Sequence, residues 1–420
     1  MDELNGHDVM VWNEEKVRNH LENADLVRLK IGPDDDLERL GEFIGRNTHL
    51  KELQFLYHEI SGEDIKKFLH GFSSNESIQK LSFLDCDLPG GGIFSILVIF
   101  FKNNRNFECL EIVGCDIERD SLSLLASALV EFDSLKEFIF SVDDTDYGAT
   151  KLIQVLTQAL TGHLGLRKLI LHDGRIGKNG CAALATLLQN PNTELTVLDL
   201  AESEIDDKRA DVLATDLSDN ITLKDLNLSG VTSITETGWR TIFSTLRTPS
   251  CRLERLYLED SSINDTAALS LVNALANNKS LRALGLCNNR LITIEGWGPL
   301  FEFLHSPTCI LEELSLRFNG IDDEVVKSLT NALTNNSSLR CLVLSCNIAI
   351  TMVGWEAFSA VLRNPIYMLE NLDLSDNSIN DETVNNLANA MVNNKKLRKL
   401  NLGCNPKITP TGWEALSTVL

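Results

Sequence analysis

Long apolar runs are missing from this chain. The longest largely apolar stretch, Ile93 to Phe101 ("IFSILVIFF"), falls far short of the roughly 20 residues that carry a helix across a bilayer. No membrane span is expected. Positive charge is scarce: 38 Lys and Arg stand against 60 Asp and Glu, a net charge of −22 at pH 7. Nucleic acid and anionic membrane surfaces both demand positive surface, so neither is expected as a partner, whereas a basic protein is. The ten cysteines include no CxxC pair, and the start "MDELNGHDVMVWNEEK" is acidic and polar, unlike a signal or transit peptide. Free thiols in a reducing compartment follow. The expected location is the cytoplasm, with the nucleus as the alternative. No Pro-rich or low-complexity stretch marks a linker.

The motifs of catalysis are missing as well. The eight histidines show no zinc spacing and no HExxH, and no GxSxG occurs. Gly90, Gly91 and Gly92 lack the lysine and spacing of a phosphate loop and read as a loop entering a helix. Cys341 and Cys346 share one unit, with Cys287 and Cys404 on nearby units; scattered intracellular cysteines like these behave as small apolar residues rather than metal ligands. Neither an enzyme nor a metal or cofactor site is expected.

What the chain does have is repetition. "TETGWRTIF" begins at Thr235, and tryptophan returns at Trp297, Trp355 and Trp413, each 58 residues after the last. The surrounding pattern is L-x-x-L-x-L, a polar corner, Ile, then a helical stretch. Clear copies are "LTVLDLAESEI" from Leu195, "LERLYLEDSSI" from Leu253, "LEELSLRFNGI" from Leu311 and "LENLDLSDNSI" from Leu369. Fourteen copies start at 26, 50, 78, 107, 135, 166, 195, 223, 253, 281, 311, 339, 369 and 397. Residues 26–222 are irregular, and from 223 the spacing alternates between 30 and 28. Alternating leucines predict a strand buried on one side. Val325, Leu329 and Leu333 have helical spacing. One such unit cannot bury its apolar face, so the units must stack, with strands in parallel and helices outside. The fold class is α/β: a horseshoe solenoid with a concave parallel β-sheet and convex α-helices.

These motifs resemble the leucine-rich repeat superfamily over residues 26–420, and more narrowly the ribonuclease-inhibitor-like class shared by ribonuclease inhibitors, the sensing arms of NOD-like receptors and Ran GTPase-activating proteins. That class places Asn or Cys at the corner, bonded to backbone groups of the turn. Asn289, Asn319, Asn347, Asn377 and Asn405 comply, as do Cys86 and Cys115; His58, Asp143, Gly174, Ser203, Val231 and Ser261 depart from it. The resemblance implies a protein-interaction scaffold or regulator, with a Ran-type GTPase activator or a receptor's sensing arm as alternatives.

Each end and each tryptophan carries an expectation of its own. Residues 1–25 form the N-terminal capping segment, with an amphipathic helix over 13–25 covering the first strand. No polar capping repeat precedes the end at Leu420, so a chain cut short is expected. Thr235 reads as a helix cap, with Ile234 and Trp239 bracketing it as a hydrophobic staple. Pro299 predicts a helix that begins only after Trp297. The run Ile93 to Phe101 reads as a buried helix, against an exposed docking patch as the sharper alternative.

Function in such a fold belongs on the concave sheet, at the third, fifth, seventh and eighth positions of each repeat. Those positions supply the candidate partner-binding residues Asp173, Asp199, Glu202, Asp225, Tyr257, Glu259, Asp260, Arg317, Phe318, Asp373 and Asp376. An acidic face with interspersed Tyr, Phe and Arg suits a basic protein partner.

Overall fold

The computed structural model describes residues 10–11, 25–30, 36–56, 62–88, 92–117, 119–130, 132, 134–141, 157–172, 176–364 and 368–418. Two compact units divide the chain, Met1–Glu204 and Ile205–Leu420. Each is built on a parallel sheet whose strands alternate with helices.

In the first unit the strands Leu26–Lys30, Glu52–Leu56, Lys80–Leu84, Cys109–Val113, Glu137–Ser141 and Lys168–His172 run five residues each, and Val197–Asp199 three. In the second unit all seven, Asp225–Asn227, Arg255–Tyr257, Ala283–Gly285, Glu313–Ser315, Cys341–Val343, Asn371–Asp373 and Lys399–Asn401, run three. Every repeat start read from the leucine pattern is thus followed within two residues by a strand. Three strands were not foreseen: Met10–Val11 pairs in parallel with the first repeat's strand, Met10 beside Leu29, and Asp87–Leu88 pairs in parallel with Asp116–Ile117 in a small second sheet. Residues 12–24, where a capping helix was expected, lie outside the described residues, as do His58, Asp143, Asp173, Gly174, Gly90, Gly91 and Leu420.

The period-2 pattern sets the core. In the repeat starting at Leu253, Leu253, Leu256, Leu258 and Ile263 are all buried, while Arg255 between them is exposed. The corner residues tie each repeat to its neighbours. Asn347 is fully buried; its Oδ1 accepts from the backbone N–H of Asn319 and Ile321, and its Nδ2 donates to the carbonyls of Leu316 and Leu344. Asn289, Asn319, Asn377 and Asn405 repeat the pattern. Buried backbone groups are costly when unpaired, and this row pairs them. Cys86 and Cys115 do the same with sulfur, donating to the carbonyls of Phe55 and Phe83. The two serines read as departures are not functional departures. Ser203 Oγ donates to Leu171 and Ser261 Oγ to Leu228, the carbonyls of the preceding repeat. The hydroxyl supplies the cross-repeat donation that the amide Nδ2 makes at the other corners.

The helix Gly92–Asn103 turns Phe94, Leu97, Phe100 and Phe101 inward; among its described side chains only Ile99 stands as an exposed large apolar group. Phe100 stacks on Phe72 at 4.4 Å and Phe101 on Phe132 at 4.7 Å. The apolar run is a core helix, packed against phenylalanines of the neighbouring repeats.

In the second unit the tryptophan helices share one start. Thr235, Thr293, Thr351 and Thr409 cap the helices Glu236–Ser244, Ile294–His305, Met352–Arg363 and Pro410–Ser417. Each tryptophan is the fourth helical residue. The reading of Pro299 is corrected: its helix begins at Ile294, and the proline sits inside it. The Thr293 cap and the buried Ile292 and Trp297 fix that start, outweighing the backbone hydrogen bond that a proline removes.

Candidate partner-binding face

The helix-free face of the second unit's sheet is built from two aligned rows. Strand register places Asp225, Arg255, Ala283, Glu313 and Cys341 side by side, and Asn227, Tyr257, Gly285, Ser315 and Val343 in the next row. Parallel strands in register bring such neighbours to about 4.8 Å. Asp225 Oδ1 lies 2.8 Å from Arg255 Nε. Tyr257 is half-buried, and that burial raises its phenol above the usual value. Glu259 accepts from the Ser229 hydroxyl, and its own N–H donates to Ser229 Oγ at 3.1 Å. The strand Ala283–Gly285 presents the smallest side chains of the face. A Cβ on Gly285 would stand 2.1 Å from Glu259 Oε1 and 3.0 Å from Tyr257 Cδ1. Gly285 therefore lets Tyr257 and Glu259 lean across the sheet, and the carboxylate of Glu313 flanks the other side of the strand. Beside them Cys287 shares a 3.0 Å hydrogen bond with Ser315 Oγ, and burial raises its thiol pKa.

Asp225, Tyr257 and Glu259, read from sequence as site residues, thus come together. Asp373 lies further along the row, its Oδ1 accepting from the N–H and hydroxyl of Ser375. Asp199 belongs to the first unit, 3.0 Å from His172 Nε2. Arg317 is exposed on the repeat after Gly285's. Four residues share a distinct geometry: Glu202, Asp260, Phe318 and Asp376 have φ of 58°, 49°, 59° and 53°. They occupy the eighth position, where the chain leaves the strand in the left-handed region. Phe318 carries the guanidinium of Arg290 at 3.8 Å from its ring centre. Asp173 lies outside the described residues.

A family model for the leucine-rich repeat matches residues 309–329 and 393–417. The fold is that of a leucine-rich repeat solenoid. Among curated proteins, NACHT, LRR and PYD domains-containing protein 14 of Mus musculus is 28% identical over 359 residues, 85% of this chain and 35% of that protein. Its Homo sapiens counterpart is 31% identical over 252 residues, 60% of this chain and 23% of that protein. This repeat chain thus spans about a third or less of the length of these curated relatives. Among solved structures, a chain of the yeast Rad7 and Elc1 complex is 18% identical with a TM-score of 0.49, covering 90% of this chain and 85% of that one.

The sequence reading of the repeats missed Ala283, Gly285, Ser229 and Ser315. A signal was present: Gly285 is the only glycine at a fifth position from repeat 195 onward. Among the described residues no group of three or more His, Cys, Asp or Glu is placed to hold a metal ion, and no helix is long and apolar enough to cross a membrane.

Proposed function

We propose that this leucine-rich repeat chain is a non-enzymatic protein-interaction module that takes a basic segment of a partner protein on the helix-free face of its second unit, over the strand Ala283–Gly285. The observation that carries the reading is the convergence of Asp225, Tyr257, Glu259 and Glu313 around the space that Gly285 leaves. An aromatic anchor beside carboxylates is what a Lys- or Arg-bearing segment needs. The ring supplies contact area and a cation–π face, and the carboxylates supply charge-assisted hydrogen bonds. The net charge of −22 points the same way. The cytoplasm is the setting proposed with this reading.

The test is affinity capture from native lysate with the intact chain beside a Tyr257→Ala, Glu259→Lys variant. Basic proteins lost from the variant alone are the expected result. Identical sets of captured proteins would overturn the proposal.

The relatives favour a second reading, in which the repeats are the sensing arm of a NOD-like receptor, since the proteins matched are named for NACHT and PYD domains as well as LRRs. A transcript joining these repeats to a nucleotide-binding segment supports it; a verified start at Met1 and stop after Leu420 count against it. The Ran-type GTPase activator is removed by a single-turnover assay in which GTP hydrolysis is not accelerated.

A further inference from the structure

Away from the strand rows, the second unit holds a cavity of about 650 Å³ at the turns that lead from strand to helix, lined among others by Arg290, Trp297, Phe318, Gly320, Glu324 and Ile348. Its origin is legible in the alternation of repeat types. Two residues, Arg290 and Leu291, separate the corner Asn289 from the buried Ile292, and two, Ile348 and Ala349, separate Asn347 from Ile350. The repeat between them has one, Gly320, with φ of +66°. Two long turns therefore stand on either side of a short one, and the hollow lies over Gly320.

The hollow is dressed with apolar side chains that the fold does not require. Of its lining residues, Ile348 is 71% exposed and Phe318 42%. The chain carries its own controls. The positions equivalent to Ile348 in the other tryptophan repeats are Thr232, Arg290 and Pro406. The corresponding hollow one dyad earlier, lined by Thr235, Glu236, Thr237, Ser262 and Asn264 among others, is about 330 Å³ and mostly polar. The same turn geometry is thus built with polar residues one dyad earlier. Contiguous exposed apolar groups of this kind mark interaction sites, and 650 Å³ lies within the range of ligand pockets. Its charge is one-sided. Asp322, Glu324 and Asp376 line it, and Arg290, the one cation among the described lining residues, lies over the Phe318 ring.

We propose that this pocket binds a short segment of a partner protein by one aliphatic or aromatic side chain inserted over Gly320, with a lysine or arginine beside it meeting Glu324 and Asp376. The site is separate from the Ala283–Gly285 face and does not rest on that reading.

The test is a display selection of random twelve-residue peptides on the intact chain, counter-selected on an Ile348→Asp variant. Enriched peptides are then synthesised with a fluorescent label and titrated by anisotropy. The expected peptides carry an apolar residue within two positions of Lys or Arg. Their affinity falls roughly tenfold or more with Ile348→Asp or Glu324→Lys, falls less with Ile348→Thr, and is unchanged by Tyr257→Ala. Ile348 and Glu324 are exposed, so melting curves of these variants should overlay that of the parent. A selection with no peptide sensitive to Ile348→Asp, or peptides indifferent to Glu324→Lys, would overturn the proposal.

Discussion

The eighth position of each repeat decides how its side chain can act. From Asp85 onward every described occupant has positive φ: Asp85, Gly114, Glu202, Gly230, Asp260, Asn288, Phe318, Cys346, Asp376 and Cys404. The backbone there also bonds to the next repeat, as in Asp260 N–H to Cys287 O at 2.8 Å. A non-glycine residue in this region is strained, by about 1 kcal/mol or more. Only Gly114 and Gly230 avoid the strain. Gly230→Ala is therefore expected to destabilise by about 1 kcal/mol, and Asp260→Gly to stabilise by a fraction of that, since the glycine's gain is partly offset by its greater freedom when unfolded. Urea midpoints at constant slope check both. A stabilised Asp260→Gly that also binds basic proteins less well would separate the carboxylate's function from its cost to the fold. The glycines in this column were the sequence's clue to its geometry. Reading the column only as part of the concave sheet hid the fact that Glu202, Asp260, Phe318 and Asp376 sit where the strand ends. Asp225, Tyr257 and Glu259 were legible because strict alternation applies to residues inside or directly after the strand. Gly285 was not sought, because a missing side chain does not look like a site.

At the scale of elements, the T-x-x-G-W motif is a clamp between consecutive helices. Asp207, Asp265, Asp323 and Asp381 each open a helix, and each carboxylate accepts from both the backbone N–H and the hydroxyl of the next helix's capping threonine, at 2.5 to 2.8 Å. The glycine makes this approach fit: a Cβ on Gly354 would stand 2.4 Å from Asp323 Oδ1 and 2.8 Å from both Ile350 Cγ2 and Val326 Cγ1. Gly354→Ala is expected to destabilise by about 1–3 kcal/mol, the usual cost of overpacking. The Thr235 and Thr409 hydroxyls and N–H groups, in that order, hold Asp207 and Asp381 below the ordinary aspartate value. A carboxyl whose folded pKa is depressed binds fewer protons folded than unfolded. Its stabilisation is therefore present above the unfolded value and is lost as pH falls below about 4. Melting temperatures measured from pH 6 to pH 2.5 should drop less steeply for an Asp207→Asn, Asp381→Asn variant than for the parent. The tryptophan held by the clamp is core: Trp239, Trp297 and Trp355 are each 1% exposed, against 47% for Trp413. Trp355→Ala should cost about 3–5 kcal/mol and Trp413→Ala a small part of that. Trp355→Phe should cost less than Trp355→Ala, because the Trp355 indole N–H finds no partner among the described residues. The period and the staple were legible in the sequence. The aspartate reaching in from the preceding repeat was not, because a pattern read one repeat at a time cannot show a contact 28 residues away.

For the molecule as a whole, the distribution of charge matters more than its sum. The second position of successive repeats alternates in sign, and these side chains pair across strands: Lys224 with Glu254 at 2.8 Å, Arg282 with Glu312 at 2.6 Å, and Arg340 and Arg398 with Glu370 at 3.2 and 3.6 Å. Exposed pairs of this kind each contribute about 0–1 kcal/mol, so the ladder adds little stability. Its effect on the field is larger. Four cations of the second unit are matched by three carboxylates along one row, and Arg255 is held by Asp225. These cations are thus committed within the sheet, and the remaining excess of Asp and Glu is left to act at long range. A basic partner should then associate faster at low ionic strength, with a rate falling as salt shortens the Debye length from about 30 Å at 0.01 M to about 8 Å at 0.15 M. Stopped-flow association with a captured basic partner, repeated across that salt range, checks this. Glu259→Gln with Glu313→Gln should flatten the salt dependence and slow association at low salt. Arg282→Gln, which frees Glu312 on the paired ladder, should steepen it. An association rate independent of salt would show that the acidic excess serves solubility alone, and the Ala283–Gly285 face would then have to hold its partner by shape and aromatic contact.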